Sequence, residues 1–243
     1  MKFSIVIPAF NEESNISSCV ANLDNVLKDY DHEIVVVNDG STDQTGVILR
    51  SLKTRIPLKI VDRPLGDNGI GKAIKSGIRA ADGDYIIIAM ADSSDDPRDA
   101  LRMVQIASTR TVDGVFGTRF SRGGRTVNYP PLKLAMNRLY NRLARFLLKI
   151  PHNDLSNAFK MYRKELIKSI HIESNGFDIT IELSVKAWLG AKLPIPTIPI
   201  SWYGRERGLP KWRIARESVL YFKRLIYLRK IVKKNQYSRE ILL

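Results

Sequence analysis

Ile86-Ile87-Ile88-Ala89-Met90-Ala91-Asp92-Ser93-Ser94-Asp95-Asp96-Pro97 passes from an unbroken apolar stretch into a cluster of carboxylates closed by a proline. A buried strand emerging into solvent at its carboxyl end has this form. In an open α/β sheet that edge is where a metal and a phosphorylated ligand bind. Acids crowded on one loop repel one another, so either a divalent cation or a structural capping role must offset them.

Two earlier segments give the loop its context. Ser4-Ile5-Val6-Ile7-Pro8 and Glu33-Ile34-Val35-Val36-Val37 are β-branched runs too short for helices, as strands of a buried parallel sheet should be. After the first comes Ala9-Phe10-Asn11-Glu12-Glu13, with Asn11 as the expected cap of a helix whose apolar face is Ile16, Cys19, Val20, Leu23 and Leu27. After the second comes Asn38-Asp39-Gly40-Ser41-Thr42-Asp43, again a turn with a helix start. Asn11, Asp39 and Asp92 therefore converge on one sheet edge, the crevice in which such sheets hold nucleotides. Further strands are predicted at Leu58 to Val61, Tyr85 to Met90 and Gly114 to Thr118, with helical patterns between most of them. Repeated β-then-α order predicts an α/β fold with a mostly parallel central sheet covered on both faces. Gly69-Ile70-Gly71-Lys72-Ala73 opens a helix with Ile70, Ile74, Ile78 and Ala81 at helical spacing and Gly77 inside it. Its spacing fits neither the dinucleotide fingerprint nor a Walker loop, which leaves close helix packing and ligand approach as equal readings.

A chain of 243 residues with 44% hydrophobic content can build one sizeable core, and a net charge of +14 calls for an acidic partner. Nucleic acid, an anionic membrane and phosphorylated small molecules all qualify on charge alone. The lone Cys19 excludes an intramolecular disulfide and a cysteine-rich zinc site, consistent with a reducing cytosol. There is no apolar run of about 18 residues, and Met1-Lys2-Phe3 leads directly into a strand. The expectation is neither a membrane span nor a signal peptide, so any membrane contact is peripheral.

From Ser121-Arg122-Gly123-Gly124-Arg125 the character changes to a basic loop. A helix from Leu132 to Leu148 follows, bearing Arg138, Arg142 and Arg145, with Lys149 at its end. Phe177 to Leu189 reads as another helix, and Leu193 to Trp202 as an extended segment before the loop Tyr203 to Lys211. The last piece is amphipathic, with Tyr221, Leu225, Leu228 and Val232 on one face and Lys223, Arg224, Arg229, Lys230, Lys233 and Lys234 around it, and that apolar face with its basic surround is expected to attach the chain reversibly to an anionic membrane. The expected division is a catalytic domain over 1–212 and a basic amphipathic helix and tail over 213–243.

Val6 to Glu13, Val37 to Asp43, Gly83-Asp84-Tyr85 leading to Ala91-Asp92, and Gly117-Thr118-Arg119-Phe120 resemble glycosyltransferase family 2 in order and spacing. Asp154 to Arg163 and the loop with Arg205, Gly208 and Lys211 narrow the resemblance to dolichyl-phosphate mannose synthase and related polyprenyl-phosphate sugar transferases. The resemblance spans roughly residues 3 to 212 and implies the nucleotide-sugar-binding fold called GT-A. It also implies inverting transfer of a hexose to a polyprenyl phosphate at the cytoplasmic membrane face. GDP-mannose is the first expected donor, with a UDP-hexose next. Pro8, Phe10, Asn11 and Glu12 then correspond to residues around the base, and Asp39 to the carboxylate near base or ribose, with Gly69 and Lys72 assigned to the same donor site. Asp92 matches the second acid of the family's motif for Mg²⁺ or Mn²⁺.

Several positions depart from the family pattern. Met90 replaces the first acid, and its thioether is a poor ligand for a hard cation. Either Asp95 restores a second oxygen ligand or Asp92 serves with water and diphosphate. Asn157-Ala158 stands for the usual Ser-Gly, Pro210 for a Ser, and Thr197 for a glutamate.

Loss of a nucleoside diphosphate requires positive charge at the departing group, for which Asp92 with its cation, Arg119, Arg205 and Lys211 are the candidates. A phosphate acceptor is already anionic and needs alignment more than a base. A glycan hydroxyl acceptor in cell-envelope polysaccharide synthesis, the alternative, needs a carboxylate base, with Asp154 or Glu182 as the places to look. The Gln-x-x-Arg-Trp motif of sugar-polymerising members is absent from the sequence, and His32, His152 and His171 fall in no site. A sugar nucleotidyltransferase would carry a glycine-rich loop after the first strand. A nucleic-acid-binding module leaves the acidic cluster unexplained, so no nucleic-acid partner is expected.

Overall fold

The computed structural model describes residues 1–204 and 214–240, with side chains described for 1–204 and 217–234. The expected strands form where the apolar runs are continuous. They are β1 (Phe3–Ala9), β2 (His32–Asn38), β3 (Leu58–Asp62), β4 (Tyr85–Ile88) and β5 (Gly114–Thr118). Every residue of β1, β2 and β4 is buried, the signature of strands covered on both faces. Between them lie α1 (Ile16–Val26), α2 (Thr45–Ser51), α3 (Ile70–Ala80) and α4 (Pro97–Thr109). The second half adds β6 (Arg125–Val127), α5 (Pro131–Leu148), β7 (Lys160–Arg163), α6 (Lys164–Ser169), α7 (Ile179–Gly190), β8 (Thr197–Pro199), β9 (Ser201–Tyr203) and α8 (Ile214–Glu240).

The main sheet runs β3-β2-β1-β4-β7-β5-β8, and only β7 is antiparallel to its neighbours. Strand order reverses beside β1, which pairs with β2 on one side and β4 on the other. That reversal opens a crevice beyond the carboxyl ends of these strands.

The period of two along each strand divides the core. Ile5, Ile7, Ile34, Val36 and Ile87 face α1 and α4, where Ile16, Cys19, Val20, Leu23, Leu27, Met103 and Val104 meet them. Val6, Val35, Ile86 and Ile88 face α3, α6 and α7 through Ile74, Ile78, Leu166, Ile179 and Leu183. A Cβ at Gly77 would overlap Val6 Cγ1, so close packing of helix on strand explains this glycine.

Two expectations are corrected. Asn11 does not cap α1, which starts at Ile16. Its backbone is left-handed, at φ 49°, and its side chain instead ties the β1 loop to Thr42. The apolar face of the terminal helix, expected to meet lipid, is covered by protein. Leu225, Leu228 and Val232 pack with Ala144, Leu148, Ile181 and Val185 of α5 and α7 in a third core cluster. A helical stripe of this spacing fits a core as well as a bilayer.

Candidate active site

The end of β1 carries Pro8, and the loop after it Phe10 and Glu12, into the crevice. The Glu12 amide donates to Thr45 Oγ1 at 2.8 Å, and its carboxylate accepts from Asn15 Nδ2 at 2.9 Å. After β2, buried Asp39 accepts from the Arg63 guanidinium and from the Gly69 amide at 2.7 Å. Asp39 thereby joins the end of β2 to the start of α3. Asn68 donates to the Asp39 carbonyl and narrows the same corner.

After β4 the backbone turns sharply, with Ser93 at φ 56°. Asp92 Oδ1 accepts from the Ser94 amide at 3.1 Å, and Asp95 Oδ2 from the Met90 amide at 3.3 Å. Removal from water and the neighbouring Asp92 charge push the Asp95 carboxyl up to about 7. Two close carboxylates, one held near neutrality, fit a divalent cation that would relieve their repulsion. Among the described residues no three acidic, histidine or cysteine side chains converge, so water and diphosphate oxygens would complete the ligand set. Asp96 and Asp99 have structural roles. Asp96 caps α4 through the Arg98 amide at 3.0 Å, and Asp99 accepts from the Ser201 amide at 2.8 Å.

Arg119, at the end of β5, is buried beside this loop and held by Asp154 in a fork, Nε to Oδ2 at 2.8 Å and a terminal nitrogen to Oδ1 at 2.7 Å. Buried Lys160 donates to the carbonyls of Asp154, Leu155 and Asn157, which fixes the loop that carries Asp154. Burial lowers the Lys160 ammonium to about 7.

Pro8, Phe10, Glu12, Asp39, Gly69, Asp92, Asp95 and Arg119 all line one cavity of about 1290 Å³. Asn11 and Lys72 are not in its walls; Lys72 pairs with Asp67 at the surface. Arg205 and Lys211 lie outside the described residues. The cavity continues past Arg119 to Tyr129, Lys133 and Trp202, then opens between α5 and α8 among Met136, Leu139, Leu143, Leu220 and Phe222. Residues 173–178 form a further wall that the sequence did not mark, because nothing in Glu173-Ser174-Asn175-Gly176 matches a motif. Neither carboxylate considered as a base is available. Both Asp154 oxygens hold Arg119, and fully buried Glu182 accepts from Lys186 and from the amides of Glu173 and Ser174. His152 is packed between Phe116 and Trp188, away from the cavity walls.

Residues 4–170, more than half of the chain, match the family profile described as Glycosyl transferase family 2. The chain belongs to that family. It is 27% identical to a dolichol-phosphate mannosyltransferase of Pyrococcus furiosus over 99% of its own length and 66% of that protein's. It is 29% identical to a dodecaprenyl-phosphate galacturonate synthase of Rhizobium johnstonii over 92% of its length and 68% of that protein's. The chain thus spans about two thirds of the length of these relatives. Its fold is similar to that of glucosyl-3-phosphoglycerate synthase from Mycobacterium tuberculosis, solved with Mn²⁺, UDP-glucose and phosphoglyceric acid. The TM-score is 0.72 at 19% identity, over 94% of this chain and 80% of that one. The α/β architecture is that of the GT-A fold.

Proposed function

We propose that this member of the family transfers a hexose, mannose in the first instance, from a nucleotide sugar to a polyprenyl phosphate with inversion at the anomeric carbon. The observation that carries this reading is the polarity of this one continuous cavity. At one end are Asp39, the Gly69 amide and the Asp92–Asp95 pair, and at the other an apolar mouth between two helices. A nucleoside diphosphate suits the first and a lipid chain the second.

Asp92 and Asp95 would hold Mg²⁺ or Mn²⁺, consistent with the Mn²⁺ that accompanies UDP-glucose in the glucosyl-3-phosphoglycerate synthase complex. The cation supplies the positive charge that stabilises the departing diphosphate. Glu12, Asp39 and Gly69 bound the pocket for the nucleoside, and Phe10 and Pro8 its apolar side. Arg119, fixed by Asp154, contributes a pre-oriented positive field beside the diphosphate. Arg205 and Lys211 are assigned to the same charge by their match to the family motif. The acceptor phosphate attacks as an anion, so the commitment of Asp154 and Glu182 to other partners does not impair transfer. Alignment of the two reactants accounts for much of the rate, on a scale of about 7 to 11 kcal/mol.

The membrane partner is an anionic surface reached peripherally. No helix of the described residues is long and apolar enough to cross a membrane. With the stripe through Leu225 and Leu228 buried, contact falls to the opposite surfaces. On α5, Leu132, Leu139 and Phe146 are exposed at intervals of seven residues, and on α8 Phe222 and Ile226 are exposed. Arg138, Arg142, Arg145, Lys223, Arg229 and Lys230 lie on the same helices, and each basic residue near an anionic leaflet contributes roughly 1 kcal/mol. These exposed apolar and basic surfaces support peripheral attachment, for which the cytoplasmic membrane face is the proposed site.

The test is incubation with radiolabelled GDP-mannose, UDP-glucose, UDP-N-acetylglucosamine and UDP-galacturonate, each with membranes and Mn²⁺, followed by lipid extraction. Label from one donor enters the lipid phase. Label confined to the aqueous phase or to polysaccharide for every donor contradicts the proposal.

A further inference from the structure

The terminal helix α8 reaches the 173–178 wall of the cavity through Arg224 and two tyrosines. Arg224 Nε donates to Asp178 Oδ2 at 2.9 Å, and its guanidinium lies 3.4 Å from Glu173 Oε2 and 3.6 Å from Glu182 Oε2. Two tyrosines of the same helix join it. Tyr221 Oη donates to the Phe177 carbonyl at 2.8 Å, and Tyr227 donates to Glu173. The three acids belong to residues 173–178 and the adjoining turn of α7, and Glu182 in turn accepts from the Glu173 and Ser174 amides at 3.0 and 2.8 Å. Packing, charge and backbone hydrogen bonds thus converge on one short segment.

The other side of that segment rests on the start of α3. The Gly71 amide donates to the Asn175 carbonyl at 3.0 Å, and Lys75 Nζ donates to Asn175 Oδ1 at 2.6 Å. A Cβ at Gly71 would lie 2.6 Å from the Asn175 carbonyl carbon, so only glycine allows this approach. Two residues earlier the Gly69 amide donates to Asp39. A continuous path therefore runs from Arg224 to Asp178, from Asp178 to the Ser174 hydroxyl that donates to it, along the backbone to Asn175, and on to Gly71, Gly69 and Asp39.

We propose that Arg224 is a positioning residue for the donor site: it docks α8 on the 173–178 segment and thereby holds the Gly69–Gly71 turn in the geometry that receives the nucleotide. The helix that flanks the acceptor mouth then also sets the shape of the donor pocket. The inference rests on the nucleotide-sugar reading for its kinetic consequence but not for its structural one. Arg224 serves three carboxylates from one planar fork, which a lysine ammonium reproduces only in part.

The test uses the full chain with Arg224→Met and Arg224→Lys, reading amide hydrogen exchange without ligand and steady-state kinetics with whichever of GDP-mannose, UDP-glucose, UDP-N-acetylglucosamine and UDP-galacturonate the parent turns over. In Arg224→Met the Gly71 amide exchanges faster while the β1 and β2 amides keep the parent rate. Donor KM rises about tenfold, within the range for residues along a coupled network, with kcat and acceptor KM near the parent's. Arg224→Lys restores part of both. If Arg224→Met does not fold, Asp178→Asn removes the charged partner from the other side and gives the same pattern. Unchanged Gly71 exchange overturns the proposal, as does a fall in kcat with donor KM unchanged. A parent that turns over none of the four nucleotide sugars contradicts the nucleotide-sugar reading, while the Gly71 exchange result still decides the structural inference.

Discussion

At the strand edge Asp39 and Glu12 are tied by hydrogen bonds to neighbouring loops, and Asp92 and Asp95 to backbone amides of their own loop. At the mouth between α5 and α8, Leu139 and Phe222 stand exposed to more than half of their surface. The first region has the fixed geometry that the proposed cation and nucleotide would require, since their binding must not demand reorganisation. The second presents apolar and basic surface suited to a fluid partner that conforms to it. Changes at the first end should therefore alter chemistry, and changes at the second should alter location.

The largest effect is expected from Asp92→Ala, with transfer reduced about 10²- to 10³-fold, the scale of losing one preorganised electrostatic contact to the transition state. Thermal unfolding should stay at the parent temperature, and activity near the parent's would remove the assigned cation role. Phe146→Ser, far from the strand edge, should weaken sedimentation with anionic vesicles about tenfold or more, since burying such a side chain contributes about 1.5–3 kcal/mol. Binding of the soluble nucleotide should be unchanged, and equal sedimentation would sever the link between the exposed α5 surface and the membrane. Gly77→Ala, under the donor end, should cost about 1–3 kcal/mol by forcing a methyl against Val6. Urea unfolding reads that loss, and a midpoint equal to the parent's would mean that α3 shifts freely on the sheet.

The last effect, absent at neutral pH, is a dependence on pH outside both ends. Burial lowers His152 to about 4, whereas in the unfolded chain it protonates near its ordinary pKa of about 6.5. Between these values the unfolded state binds the extra proton, so stability falls as pH drops from about 6.5 to 4. His152→Phe should make the melting temperature less sensitive to pH across that window. An unaltered slope would show that other groups govern acid sensitivity.

The donor end was readable in the sequence because parallel strands buried on both faces leave continuous β-branched runs. The residues that follow such runs must sit at one edge, which located Asp39 and Asp92 and placed Asp95 beside them. The role of Asn11 was hidden because asparagine is favoured both as a helix cap and in the left-handed conformation it adopts here. The burial of Leu225 and Leu228 was hidden for a related reason: the spacing of an amphipathic stripe does not say whether protein or lipid covers it. Residues 173–178 carry no motif, since their place in the cavity wall comes from tertiary contacts with Gly71 and Arg224.

The measurement that bears most directly on the joined cavity is NMR of the product formed from a ¹³C-labelled nucleotide sugar and purified polyprenyl phosphate with Mn²⁺. The parent should form one new sugar–phosphate bond with anomeric configuration opposite to that of the donor, and Asp92→Ala should not. A retained configuration, or sugar released only to water while the lipid phosphate stays unmodified, would contradict it.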